Sequence, residues 1–138
     1  MRYLLDTNII SVLVSQPDGT LAERVSAFED DEICTSIVVV AEVRYGVTKR
    51  GSQRLARQVE EILDSIWILP LEHPVDHVYA RLRVQLESTG QPIGPNDLLI
   101  DSQALAYDLT LVTDNVREFS RVEDLRIENW LRDDDPMS

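Results

Sequence analysis

Hydrophobic and polar positions divide the chain into short apolar runs that alternate with longer segments of helical spacing. Tyr3-Leu4-Leu5 reads, with Arg2, as a strand over 2–5 that halts at Asp6-Thr7-Asn8. Ile9, Ile10, Leu13 and Val14 then recur at helical spacing, so a strand delivers a carboxylate to a strand–helix junction. Gln16-Pro17-Asp18-Gly19 is a turn, proline presetting one backbone angle and glycine tolerating the others. A helix is predicted over 21–28 and a strand over 33–35. Ser36 is a good N-cap for a third segment in which Val39, Val43 and Val47 share one side. Gly51-Ser52 breaks that helix before another over 55–66, with Leu55, Val59, Ile62 and Leu63 facing inward.

The run over 67–71 reads as a buried strand closed by proline. Pro74 suits the first position of a helix reaching about Ser88, with Val78, Leu82 and Leu86 on one face. The Gly/Pro-rich stretch over 89–95 feeds Asn96-Asp97 and a helix over 98–107. Strands are expected over 109–113 and 126–128, and a frayed acidic tail over 133–138. Strands alternating with helices predict an α/β sandwich with a mostly parallel sheet, one domain over 1–132.

Composition narrows the class. A chain of 138 residues, 43% hydrophobic, is long enough to bury one core. Its single cysteine, Cys34, forms no internal disulfide, and the first residues lack a charged region followed by a long apolar one, which predicts a cytoplasmic protein with Cys34 in the core. No apolar run approaches the ~20 residues that cross a bilayer, since the run from Ile37 to Ala41 meets Glu42, so membrane insertion is not expected. The net charge of -12 is the opposite of a nucleic-acid footprint. Its distribution changes that picture: no acidic residue falls between Glu42 and Glu60, where Arg44, Lys49, Arg50, Arg54 and Arg57 form a basic stripe. The stripe reads either as a solvated helix face or as a grip on phosphates.

Asp6, Glu42 and Asp97 stand out among the acids. Asp6 ends a strand and Asp97 opens a helix, places where a carboxylate also serves as a cap. Asp114 directly follows the strand over 109–113 and reaches the same sheet edge. Glu42 interrupts an apolar run, and a carboxylate buried there needs a partner or a metal. Carboxylates that converge repel one another unless a cation neutralises them. Hard oxygen ligands suit Mg²⁺ or Mn²⁺, ions that polarise a phosphate and acidify water, the chemistry of phosphodiester hydrolysis. A signalling receiver domain, which needs a lysine beside its acidic pocket at the end of a late strand, is disfavoured because the only lysine is Lys49. A haloacid-dehalogenase-type phosphatase wants a second aspartate where Asn8 stands. His73 and His77 have the spacing of a zinc pair, but Pro74 puts His73 at or before the helix start, which argues against zinc.

Leu4-Leu5-Asp6-Thr7-Asn8, Ala41-Glu42-Val43-Arg44-Tyr45-Gly46, Ile93-Gly94-Pro95-Asn96-Asp97-Leu98-Leu99-Ile100 and the run from Leu111 to Phe119 resemble, in order, the motifs of VapC-type PIN-domain ribonuclease toxins of type II toxin–antitoxin systems. Leu125 to Trp130 also fits. The resemblance implies a three-layer PIN-domain sandwich and an endoribonuclease whose Asp6, Glu42 and Asp97 hold Mg²⁺, with Mn²⁺ as a substitute. It further implies a homodimer neutralised by a VapB-like antitoxin, with transfer RNA as the first substrate candidate. Asp6 and Asp97 are then direct ligands, and Glu42 is either a ligand or the group orienting the attacking water. Thr7 and Asn8 either donate hydrogen bonds within the site or cap the helix. Many PIN domains carry aspartate where Asn115 stands, so Asn115 through water or Asp114 completes the site. Asp101 occupies a position where a small residue is usual, four residues after Asp97 on the same helix face, and it either tightens metal binding or points past the pocket. Arg44, Lys49, Arg50, Arg54 and Arg57 contact RNA or the antitoxin. The alternative is a non-catalytic PIN-like domain that binds RNA or protein.

Overall fold

Side-chain caps decide where several helices begin. In the computed structural model, which describes residues 1–131, β1 (Tyr3–Leu5) ends at Asp6, whose carboxylate accepts the Thr7 N–H at 2.8 Å and starts α1 (Thr7–Ser15). The expected acidic tail over 133–138 lies outside the described residues. After α2 (Thr20–Ser26) and a 3₁₀ turn (Asp30–Glu32) comes β2 (Ile33–Ser36). Ser36 accepts the Val38 N–H at 2.9 Å and opens α3 (Ile37–Arg50), which Gly51 ends at φ 68, a left-handed angle costly for other residues. Ser52 accepts the Leu55 N–H at 3.1 Å, so α4 (Gln53–Asp64) starts two residues before the expected position.

β3 (Trp67–Leu69) is shorter and more exposed than expected: Trp67 is 63% exposed and Leu71, beyond the strand, 42%. The reason is position, because β3 pairs only with β2 and forms a sheet edge. α5 (Val75–Ser88) begins one residue after Pro74, which takes the N-cap position. α6 (Pro95–Ala106) begins three residues earlier than expected, since the fixed angle of Pro95 suits a first turn, and this places Asp97 inside the helix. β4 (Thr110–Val112), the unexpected single turn α7 (Val116–Phe119) and β5 (Ile127–Glu128) complete the chain.

All pairings are parallel, in the order β3-β2-β1-β4-β5, with Leu5 level with Thr35 on one side and Val112 on the other. Right-handed crossovers then put α1 to α4 on one face and α5 and α6 on the other, and the observed packing of α1, α3 and α4 together and of α5 along α6 agrees. The three inner strands are fully buried, and Leu4, Ile9, Val39, Ile100, Leu111 and Phe119 make the driest part of the core. Cys34 is completely shielded and its thiol donates to the Tyr3 carbonyl at 3.3 Å. The rings of Tyr3, Phe28 and Trp130 lie within 4.9–5.1 Å of one another, fastening the segment after β5 onto β1. No described helix is long and apolar enough to cross a membrane. The chain runs outward from β1 to β2 and β3, then returns to the other side of β1 for β4. Ligands of open parallel sheets gather beyond the strand ends at such a reversal.

Candidate active site

At that reversal the end of β1 supplies Asp6, 5% exposed. One oxygen takes the Thr7 N–H and the other the Thr113 hydroxyl at 2.7 Å, Thr113 arriving from the end of β4. The same Thr113 oxygen accepts the Asn115 N–H at 3.0 Å, so the two strand ends are tied together. Glu42, half-buried on α3, accepts the Thr7 hydroxyl at 3.0 Å. Asp97, in the first turn of α6, is also half-buried, and Asp101 one turn later is completely buried.

These carboxyls act on one another. Burial raises Asp6 above its ordinary range against the two hydrogen bonds, and the charge of Glu42 adds to the rise. Asp97 is pushed up to about 7, first by burial, then by the neighbouring Glu118, then by Asp6 and Glu42. Asp101 is pushed up to about 9 by burial and by the charges of Asp97, Asp6 and Glu118. Both its oxygens lack any hydrogen-bond partner among the described residues. No three of these carboxyls, among the described residues, each place an oxygen within 4.8 Å of the others. Like charges held near but apart, with an orphaned buried carboxyl beneath them and only oxygen donors, fit a hard divalent cation such as Mg²⁺.

The structure thus brings Asp6, Glu42, Asp97 and Asp101 to one place and adds Glu118 from α7. Asp114 is exposed, its carboxylate held by Asn129 at 3.0 Å and its N–H donating to Asn8 at 3.2 Å. Asn115 is also exposed, and its amide donates to Glu118 at 3.1 Å. Of the two junction residues, Thr7 serves the acidic cluster and Asn8 the loop. Sequence reasoning missed Glu118 and Thr113. Their signal was the same as for Asp114: both stand within a few residues of the end of β4.

From Thr7 and Glu42 a groove of about 250 Å³ runs between α1, α3 and α4, past Val43 and Leu55 to Arg50. Arg44 pairs with Glu60. Lys49 lies 5.9 Å from the Tyr45 ring centre, and Lys49, Arg50, Arg54 and Arg57 are exposed with no ion pair among the described residues. His73 precedes the helix, as the sequence predicts, and its ring lies 5.1 Å from that of His77.

The sequence pattern of the PIN domain matches residues 3–125. Ribonuclease VapC2 of Rickettsia felis is 36% identical over 132 residues, 94% of this chain and 98% of its own length. The chain belongs to the PIN-domain family, and within it to the VapC ribonucleases. A second VapC relative, the tRNA(fMet)-specific endonuclease of Shigella flexneri, is 30% identical over 94% of this chain and 98% of its own. The crystal structure of VapBC2 from Rickettsia felis bound to a DNA fragment from their promoter contains a VapC-like chain that superposes with a TM-score of 0.85. That match is at 34% identity and covers 94% of this chain and 99% of the other. Asp101 is completely buried and feels the charges of Asp97, Asp6 and Glu118.

Proposed function

We propose that this VapC-type chain is a metal-dependent endoribonuclease toxin that cleaves structured RNA, transfer RNA first, and is neutralised by a VapB-like antitoxin. The observation that carries this reading is the convergence of Asp6, Glu42 and Asp97 at the sheet reversal, where burial first, then Glu118, and then the charges of Asp6 and Glu42 push Asp97 up to about 7. Asp6, Glu42 and Asp97 would hold Mg²⁺, or Mn²⁺ in its place. A cation held there would polarise the scissile phosphate and acidify an adjacent water. The protein's own part is positional. The Thr113 hydroxyl and Thr7 N–H favour ionised Asp6, and the Thr7 hydroxyl aims Glu42, which orients the attacking water. Arg50 at the groove, with Lys49, Arg54 and Arg57, supplies the phosphate contacts that the acidic body lacks. The relatives support the substrate and partner: one is named for tRNA(fMet), and similar structures are VapBC complexes. The homodimer implied by the resemblance belongs to the same proposal and is read out by sedimentation of the free chain.

The test is cleavage of purified transfer RNA by the full chain. Cleavage should require Mg²⁺ or Mn²⁺, stop with chelator, and fall at least about 100-fold in Asp97→Asn, as loss of a group central to transition-state charge does. RNA binding without cleavage under all these conditions would overturn the nuclease reading in favour of a binding domain.

A further inference from the structure

A second cluster of metal-binding side chains lies outside the acidic site. We propose that His73, Asp76 and His77 form a site for a first-row transition cation of the Zn²⁺, Ni²⁺ or Cu²⁺ class, separate from the carboxylate cluster. Each of the three offers one ligand atom, and these atoms lie within 4.8 Å of one another. His73 Nδ1 is 3.1 Å from Asp76 Oδ1, and the two imidazoles meet edge to face. In a tetrahedral site with bonds of ~2.0–2.1 Å the ligand atoms stand about 3.4 Å apart, so small rotations of exposed side chains close the set. Three protein ligands leave one position for water.

The backbone that presents them is anchored from below. Gln103 on α6 donates to the carbonyls of Leu69 at 3.3 Å and Pro70 at 3.1 Å, and Ser36 donates to Gln103. The chain is thereby tied to α6 at Leu69 and at Pro70, three residues before His73, which lowers the ordering cost of bringing His73 beside the start of α5. β3, from which this segment leaves, is two strands from β1, a separation of roughly 10 Å at ordinary strand spacing.

Donor chemistry separates the two sites. Imidazole nitrogen favours borderline transition cations, whereas the all-oxygen cluster suits Mg²⁺. Competition within the chain is limited, because these are its only two histidines and its one thiol, Cys34, is completely buried.

The experiment titrates the full chain with ZnCl₂ by calorimetry in excess Mg²⁺, added to saturate the carboxylate site proposed above. One Zn²⁺ per chain is expected, with affinity at least about tenfold lower in His73→Ala and in His77→Ala. Because the side chains are exposed these variants should fold, and a wild-type measurement makes the test independent of them: Ni²⁺ should broaden both imidazole NMR signals at substoichiometric amounts. Zn²⁺ binding that persists unchanged in the double variant, or imidazole signals that stay sharp, overturns the site. So does the absence of heat at ~0.1 mM Zn²⁺, where a three-ligand site should bind.

Discussion

At Asp101 both carboxylate oxygens are buried without a hydrogen bond among the described residues, beside Asp97, Asp6 and Glu118. Its carboxyl is pushed up to about 9 and that of Asp97 to about 7, both from an ordinary 3.8. Raised carboxyls contribute stability that is complete below the ordinary value and lost as pH climbs through the folded one. Protein kept free of metal by chelator should therefore melt at progressively lower temperature from pH 4 to pH 9. Asp101→Ala should flatten that decline and melt higher than wild type at pH 8; an unchanged profile in thermal scans would show that Asp101 bears no such load. Thr113 works in the opposite direction, since its hydroxyl favours ionised Asp6. Thr113→Val should raise the Asp6 pKa and shift the acid limb of the cleavage profile to higher pH, with activity near neutrality falling about tenfold. The position of Asp101 on the same helix face as Asp97 was legible from its four-residue spacing. Its complete burial was not, because that depends on α6 packing against other elements.

Helix starts were legible where a side chain caps them, as at Ser36, and less so where a backbone property decides. Pro95 moves the start of α6 upstream and carries Asp97 from a cap into the first turn. The edge strand was misjudged for a different reason. Trp67 to Leu69 is as apolar as a buried strand, and only the order of the sheet leaves one side open. The basic stripe spans two elements, α3 and α4, with Arg50 beside the groove. Replacing Arg50, Arg54 and Arg57 together by Gln should weaken RNA binding and lower the slope of log affinity against log salt by about 2, if each contacts one phosphate of a single-stranded loop. Filter binding across a salt series measures this, and an unchanged slope would return the stripe to a solvated face. Gln103 joins α6 to the end of β3, and Gln103→Leu should destabilise the protein by ~1–3 kcal/mol in denaturant titration, because it strips buried polar groups of their partner.

Across the whole molecule the acidic cluster is assembled from β1, α3, α6 and α7, elements far apart in the chain that a parallel sheet with one reversal returns to the same edge. This is why ordered motifs made the site legible, whereas Glu118 and Thr113, whose meaning depends on the mutual approach of β1 and β4, were not singled out. A site divided among elements also couples cation binding to global stability. Mg²⁺ at 100 times its dissociation constant should add ~2.7 kcal/mol, and Asp6→Asn combined with Asp97→Asn should abolish the increment in calorimetric melts. The sealing of Cys34 within β2 has a use of another kind. With no exposure, and a thiol that burial pushes up to about 12, it will not react with maleimides while the fold is intact. The natural chain is consequently a silent background for thiol labelling, and a cysteine placed at Ser15, an exposed residue lining the groove, would carry the sole reporter, so that fluorescence or spin probes there can follow RNA or antitoxin arriving without any other residue being changed.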